Sequence, residues 1–333
     1  MRKVVAGILA AALALSAAAC GSGKKEGKMK IAGVVYLEDQ FMNLLQKGFK
    51  DGAEKAGVEI LLANAGNDQN KETELINTYV SQGIQGIAIA PINEVTSLQT
   101  LKKASEKGMK IVIADLALSD QDFVSGGFTS SQYDLGRQTG EKAKAYIEKN
   151  LKDKAEINLA VVQFKSLLPN KSSERVQGFL DQLKDFPNVK VVADQDAWMQ
   201  DSSLQVVGDM ITAANAQGGI DIIYGANDGG TLGAVAAVRN AGLAGKTVVF
   251  GIDAAEQQVE MLRADDNILQ AVTGQDPYTM GLKTVEFLVE TLNGKADASK
   301  AGTSEVVPGL TLSRDDKAGI DAFEKSLKEN LKG

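Results

Sequence analysis

Seven short polar segments, each directly after an apolar run, hold the side chains with useful chemistry. They run Tyr36 to Met42, Ala114 to Leu116, Gln163 to Arg175, Ala197 to Met199, Gly225 to Asp228, Gly251 to Asp253 and Gly274 to Pro277. Asp39, Asp115 and Asp253 supply acceptors, the amides of Asn227 and Gln275 both donate and accept, and Arg175 only donates. Phe41 and Trp198 offer aromatic faces that can cover the apolar C–H side of a ring. Met42 and Ser173 are further candidates, Ser173 as a polar alternative to Arg175. Together these groups suit a polyhydroxylated ligand. Structural roles compete with some of them. Asp39 also fits a helix N-cap, Arg175 a surface ion pair with Glu174 or Asp181, and Asp228 the cap of the next helix.

Composition removes other chemistries. The chain has 333 residues, 36 basic and 43 acidic side chains, a net charge of -7, no histidine and one cysteine. Without histidine there is no Ser-His-Asp triad, no imidazole base and no His-ligated zinc. A single cysteine, Cys20, allows no intramolecular disulfide and no cysteine metal cluster. No metal or other cofactor is expected. A sequence pI of about 5.0 argues against a nucleic-acid partner, since phosphate affinity is carried by Lys and Arg.

The elements that must position these residues alternate. Ile31–Val35, Ile60–Leu62, Ile84–Ala90 and Ile111–Ala114 are predicted strands, with helical spacing over Met42–Ala56, Glu72–Gln82 and Val95–Lys107. A second series follows with strands at Leu159–Val162, Val189–Val192, Ile220–Tyr224 and Val248–Phe250, and helices at Glu174–Lys184, Ser203–Ala216 and Thr231–Ala241. A further strand (Leu269–Thr273), a helix (Pro277–Leu292), a short run at Val306–Leu312 and a terminal helix complete it. Continuous apolar strands alternating with helices imply parallel sheets covered on both faces. The expected fold is α/β, with two doubly wound parallel-sheet lobes joined by a multi-strand hinge. One lobe takes 29–131 plus about 276–305, the other 132–275 plus about 306–333. Ligands of such sheets bind beyond the carboxyl ends of the strands, which is where the polar segments lie.

The N-terminus carries an address. Arg2 and Lys3 precede an apolar run, Val4 to Leu15, then Ser16 to Ala19 and Cys20. This is the layout of a signal peptide over 1–19, too short to span as a stop-transfer helix. Ala17-Ala18-Ala19-Cys20 resembles a bacterial lipobox, which implies that Cys20 becomes lipidated. Residues 20–28 then form a polar tether, and the mature chain is expected outside the cytoplasm, anchored to the cell membrane through lipid.

From Met29 to about Leu312 the sequence resembles bacterial periplasmic solute-binding proteins of the type I ribose- and galactose-binding family. Val35-Tyr-Leu-Glu-Asp-Gln-Phe-Met42 is similar to the first strand–helix junction of the glucose/galactose binders. The resemblance implies that Asp39 binds hydroxyls and that Phe41 and Trp198 stack on the sugar. It also implies that Asn227, Asp253, Gln275 and Arg175 supply polar contacts from the second lobe and hinge. Asp115 is kept in the style of the ribose binders, but Leu116 stands where those place an arginine, and the galactose-type histidine has no counterpart. No calcium loop appears near Asn150–Ile157. The expected role is a monomeric binding protein, not an enzyme, that delivers a neutral monosaccharide or related polyol, hexose favoured, to an ABC permease. The alternatives are a receptor in chemotaxis or sensing and, more remotely, a carboxylate-based glycosidase. A transcription regulator of this fold would need a basic N-terminal helix-turn-helix where this chain has an export signal.

Overall fold

The computed structural model describes residues 28–119 and 121–331. The expected signal peptide, Cys20 and most of the tether fall outside them. The first series comprises β1 (Lys30–Val35), α1 (Gln40–Ala56), β2 (Glu59–Asn64), α2 (Gln69–Ser81), β3 (Gly86–Ile89), α3 (Thr96–Glu106), β4 (Lys110–Ala114) and β5 (Gly126–Thr129). The second comprises α4 (Gln132–Asn150), β6 (Ile157–Gln163), α5 (Pro169–Asp181), β7 (Val189–Asp196), α6 (Gln200–Ala214), β8 (Ile222–Gly225), α7 (Asp228–Asn240), β9 (Val248–Ile252), α8 (Glu256–Arg263) and β10 (Leu269–Gly274). The chain ends with α9 (Pro277–Leu292), β11 (Ser304–Val306), β12 (Leu310–Ser313) and α10 (Lys317–Leu331).

Local sequence explains the first unit well. Asp39 caps α1 by accepting from the Met42 N–H at 2.7 Å, and Gly57 ends it at φ 71 in the left-handed region that favours glycine. Between these stops Met42, Leu45, Phe49 and Ala53 form the buried stripe. In β1, Ile31 and Val35 enter one core and Ala32 and Val34 another, as the two-residue period requires.

The strands form two six-stranded sheets, ordered β2-β1-β3-β4-β5-β11 and β7-β6-β8-β9-β10-β12. Each sheet is buried on both faces, so each lobe has two cores. The two orders match position for position, making β4 and β9 counterparts. Among the described strand pairs β12 departs from parallel pairing: β11 runs parallel to β5, whereas β12 runs antiparallel to β10. The run Val306–Leu312 is correspondingly not one strand. Pro308 removes a ladder donor there, and a Cβ on Gly309 would come within 2.6 Å of Leu135 Cδ2. Three elements have weak sequence signals: the glycine-rich β5, the long polar α4 and the short α8.

The chain passes between sheets at residues 130–131, 275–276 and 307–309. Accordingly α4 buries Leu135, Ala143 and Ile147 in the second lobe, and α9 buries Met280, Val285 and Leu288 in the first. A chain of hydroxyls, buried at Thr139 and Thr273 and half-buried at Thr311, ties the three crossings on the second-lobe side. Thr139 Oγ1 donates to Thr273 Oγ1 at 2.8 Å, Thr273 meets Thr311 at 3.0 Å, and Thr311 Oγ1 donates to Gln138 Oε1 at 3.2 Å.

Candidate ligand-binding site

Two aspartates occupy equivalent places in the two lobes. Asp115 directly follows β4 and Asp253 directly follows β9. Both are left-handed, at φ 58 and φ 72. Each N–H donates to a carbonyl of the neighbouring strand at 2.9 Å, Phe128 O for Asp115 and Thr273 O for Asp253. That conformation costs an ordinary L-residue about 1–2 kcal/mol, and Asp is among the side chains that tolerate it. Strain of this kind persists where surrounding structure holds it, commonly at binding sites.

Arg175 reaches the same region from α5. It is 5% exposed, which excludes the surface ion pair with Glu174 or Asp181. Its Nε donates to Gln132 Oε1 at 2.8 Å and its Nη1 to the Ala226 carbonyl at 2.9 Å. Nη1 also stands 3.7 Å from Asp253 Oδ2, and the guanidinium lies over the Phe164 ring, 5.0 Å from its centroid. The reach depends on α4 and α5 touching backbone to backbone at Gly136 and Gly178.

Asn227, not Asp228, is the N-cap of α7: its Oδ1 accepts from the Gly230 N–H at 3.1 Å. Its Nδ2 donates to the Trp198 carbonyl at 2.8 Å and to Asp228 Oδ1 at 3.3 Å, which fixes the turn presenting Trp198. The indole is 38% exposed. Asp228 instead donates its N–H to Asp253 Oδ2 at 3.2 Å. Gln275, in the second crossing, pulls the Asp253 carboxyl down, while its buried Oε1 has no partner among the described residues.

Asp39 is exposed and shares its carboxylate with the α1 cap, and Phe41 is half-buried against the first-lobe core. Two candidates stand elsewhere. Met42 is 1% exposed and packs in the core, because its place in the α1 stripe turns it inward. Ser173 is exposed and lies about 200° round α5 from Arg175, off the arginine's face.

The electrostatics link the lobes. Burial pushes the Asp115 carboxyl up; Lys171 and Arg175 of the second lobe pull it down, and Asp39 raises it again. Burial likewise raises Asp253, against Arg175, with Asp228 adding to the rise. The Tyr36 hydroxyl is raised by burial and then by Asp115 and Asp39. A pH dependence follows with two opposite signs. A carboxyl raised in the fold keeps a proton that the unfolded chain has released. The share of stability owed to Asp115 and Asp253 therefore falls as pH rises through that interval. Ligand hydroxyls need the ionised acceptors, so affinity should weaken on acidification, starting above the usual carboxylate range. Calorimetric titrations from about pH 7.5 to about pH 4.5 check this, and a flat affinity would remove both aspartates from the contact list.

Sequence inspection passed over Gln132, Phe164, Lys171 and Tyr36. Phe164 and Tyr36 each directly follow a strand, the same signal that marked Asp115. Gln132 opens α4 just after the first crossing. A depression of about 360 Å³ between β7 and α6, lined by Val192, Val206 and Met210, contains none of these groups. It lies apart from the convergence of charges.

Two α/β lobes crossed three times by the chain, with polar groups at the strand ends of both, define a two-lobed binding protein. The profile of the periplasmic binding protein domain matches residues 33–296, and the chain belongs to that family. It is 28% identical over 275 residues to the ABC transporter periplasmic-binding protein YphF of Escherichia coli, covering 80% of this chain and 82% of that one. It is 27% identical to the D-xylose-binding periplasmic protein of the same organism, covering 85% and 83%. The fold is shared with a periplasmic solute-binding protein of Actinobacillus succinogenes holding D-allose. There the TM-score is 0.72 at 21% identity, covering 86% of this chain and 98% of that one.

Proposed function

We infer that this chain captures a neutral sugar or related polyol between its lobes by hinge closure and hands it to an ABC permease. What carries this is the electrostatic reach between donor-only and acceptor-only groups of opposite lobes: Asp115 of the first is pulled on by Lys171 and Arg175 of the second, and Arg175 stands beside Asp253. Neutral hydroxyls satisfy both kinds at once. Gln275, with an unpartnered acceptor in a crossing, suits a ligand hydroxyl that would also hold the hinge. Closing without ligand desolvates carboxylates that lack donors, so a ligand that supplies donors favours the closed state. Each charge-assisted hydrogen bond is worth about 1.5–3 kcal/mol. Several, with two stacked rings, reach micromolar affinity, about -8 kcal/mol, after association costs.

Relatives that bind D-xylose and D-allose support a pentose or hexose, and the Phe41 and Trp198 rings favour a hexose. The same reading makes the protein a monomer that binds without turnover. Outside the cytoplasm, an acylated Cys20 would hold it to the membrane, supported by Ala17-Ala18-Ala19-Cys20.

A thermal-shift panel of neutral pentoses, hexoses and polyols tests the function. At least one member should raise the melting temperature, reduce the radius of gyration at saturation, and change the emission of Trp198, the sole tryptophan. A panel without any stabilising compound overturns the proposal. A bound ligand that leaves the emission unchanged removes Trp198 from the site.

A further inference from the structure

Lys171 lies on α5 one turn before Arg175, about 40° away round the helix, so the two cations share a face. Their situations differ. Arg175 is committed to Gln132, Ala226, Asp253 and the Phe164 ring. Lys171 is half-buried and makes no ion pair within 4.0 Å among the described residues. Asp115 of the opposite lobe lies within its electrostatic reach, and Lys171 offsets part of the burial that raises that carboxyl. Three carboxylates, Asp39, Asp115 and Asp253, would on their own make the gap attractive to a cationic ligand such as an amino sugar. Lys171 opposes that.

An ammonium offers only donors and a carboxylate only acceptors. A substituent between Lys171 and Asp115 must therefore accept from one and donate to the other. A hydroxyl does both. A ligand ammonium is repelled by Lys171, and a ligand carboxylate by Asp115.

We propose that Lys171 is a specificity-determining residue of the binding site, reading a neutral hydroxyl together with Asp115 and excluding amino sugars. This rests on the neutral-sugar function proposed above, and the experiment separates the two. The full chain is screened against D-xylose, D-allose, D-glucose, D-galactose and myo-inositol, with D-glucosamine and D-galactosamine as charged counterparts. Affinities are then measured by calorimetry for the wild type, Lys171→Met, Lys171→Gln and Lys171→Arg. The Met and Gln variants should bind the best neutral compound about tenfold or more weakly, since a hydrogen bond to a charged group is lost. They should also narrow the gap between that compound and the amino sugars. Lys171→Arg keeps a positive, donor-only group and should retain more affinity than either neutral variant, and the ligand-free melting temperature of Lys171→Gln should not move. If the wild type binds none of the neutral compounds, the function and this inference fall together. If it binds one and both neutral variants match it, only the role of Lys171 falls.

Discussion

Asp253→Asn should weaken ligand binding by about two orders of magnitude and barely move the melting temperature of the ligand-free protein. The carboxylate stands 3.7 Å from a buried guanidinium and accepts from the Asp228 N–H at 3.2 Å. Burial already penalises its charged form in the empty protein, so a neutral isostere costs that state little. Asparagine also tolerates the left-handed backbone at φ 72. The bound state, by contrast, loses charge-assisted hydrogen bonds to ligand hydroxyls at about 1.5–3 kcal/mol each. Asp253→Ala should add a stability loss of a few kcal/mol. Alanine is strained by about 1–2 kcal/mol in that conformation, and the Asp228 N–H loses its acceptor. Calorimetric binding and thermal melts on both variants check the pair. An Asn variant that binds like the wild type would place Asp253 outside the ligand contacts and leave it a structural turn residue.

Gly136→Ala should lower the melting temperature by about 10 °C and disable binding with it. A Cβ at this position would lie 1.9 Å from the Arg175 carbonyl oxygen and 2.7 Å from its carbon, both backbone atoms. No side-chain rotation relieves such a contact, so α4 and α5 must separate. Gly178 shows the same closeness from the other helix, 2.0 Å from the Tyr133 carbonyl. Separation pulls apart Gln132 and Arg175, which meet at 2.8 Å across this helix pair, and moves the guanidinium off Asp253. Gly208→Ala in α6 is the control, since nothing lies within 4 Å of its would-be Cβ. It should be neutral or stabilising by up to about 1 kcal/mol. Equal melting of the two variants would mean that the helix crossing is looser than its geometry states.

Much of the frame was legible in the chain. The apolar runs Ile31–Val35 and Ile111–Ala114 became β1 and β4 because burial on both faces demands unbroken apolar residues. Asp115 and Asp253 could be singled out because strand ends are local features, and the carboxyl end of a parallel strand faces the ligand side. Glycine-rich β5 was not legible: its residues are chosen by neighbours, with a Cβ on Gly126 falling 2.7 Å from the Phe287 ring. Asn227 and Asp228 are adjacent possible caps, and Asn227 is the cap because its backbone is extended, at φ -147, and its Oδ1 accepts from the Gly230 N–H, while Asp228 already belongs to the helix.

By itself, then, the sequence determined two α/β units, the absence of imidazole and thiol-cluster chemistry, and the acids and rings at the strand ends. Periodicity and composition act over a few residues, so they survive without coordinates. Tertiary structure alone decided that Arg175 is buried among Gln132, Ala226 and Asp253. It also decided that Asp115 falls within the electrostatic reach of Lys171 and Arg175, numbered far beyond it. Those relations arise where the chain crosses between its sheets and where glycines let two helices touch. Contacts between residues so distant in sequence are fixed by packing, which no local pattern encodes.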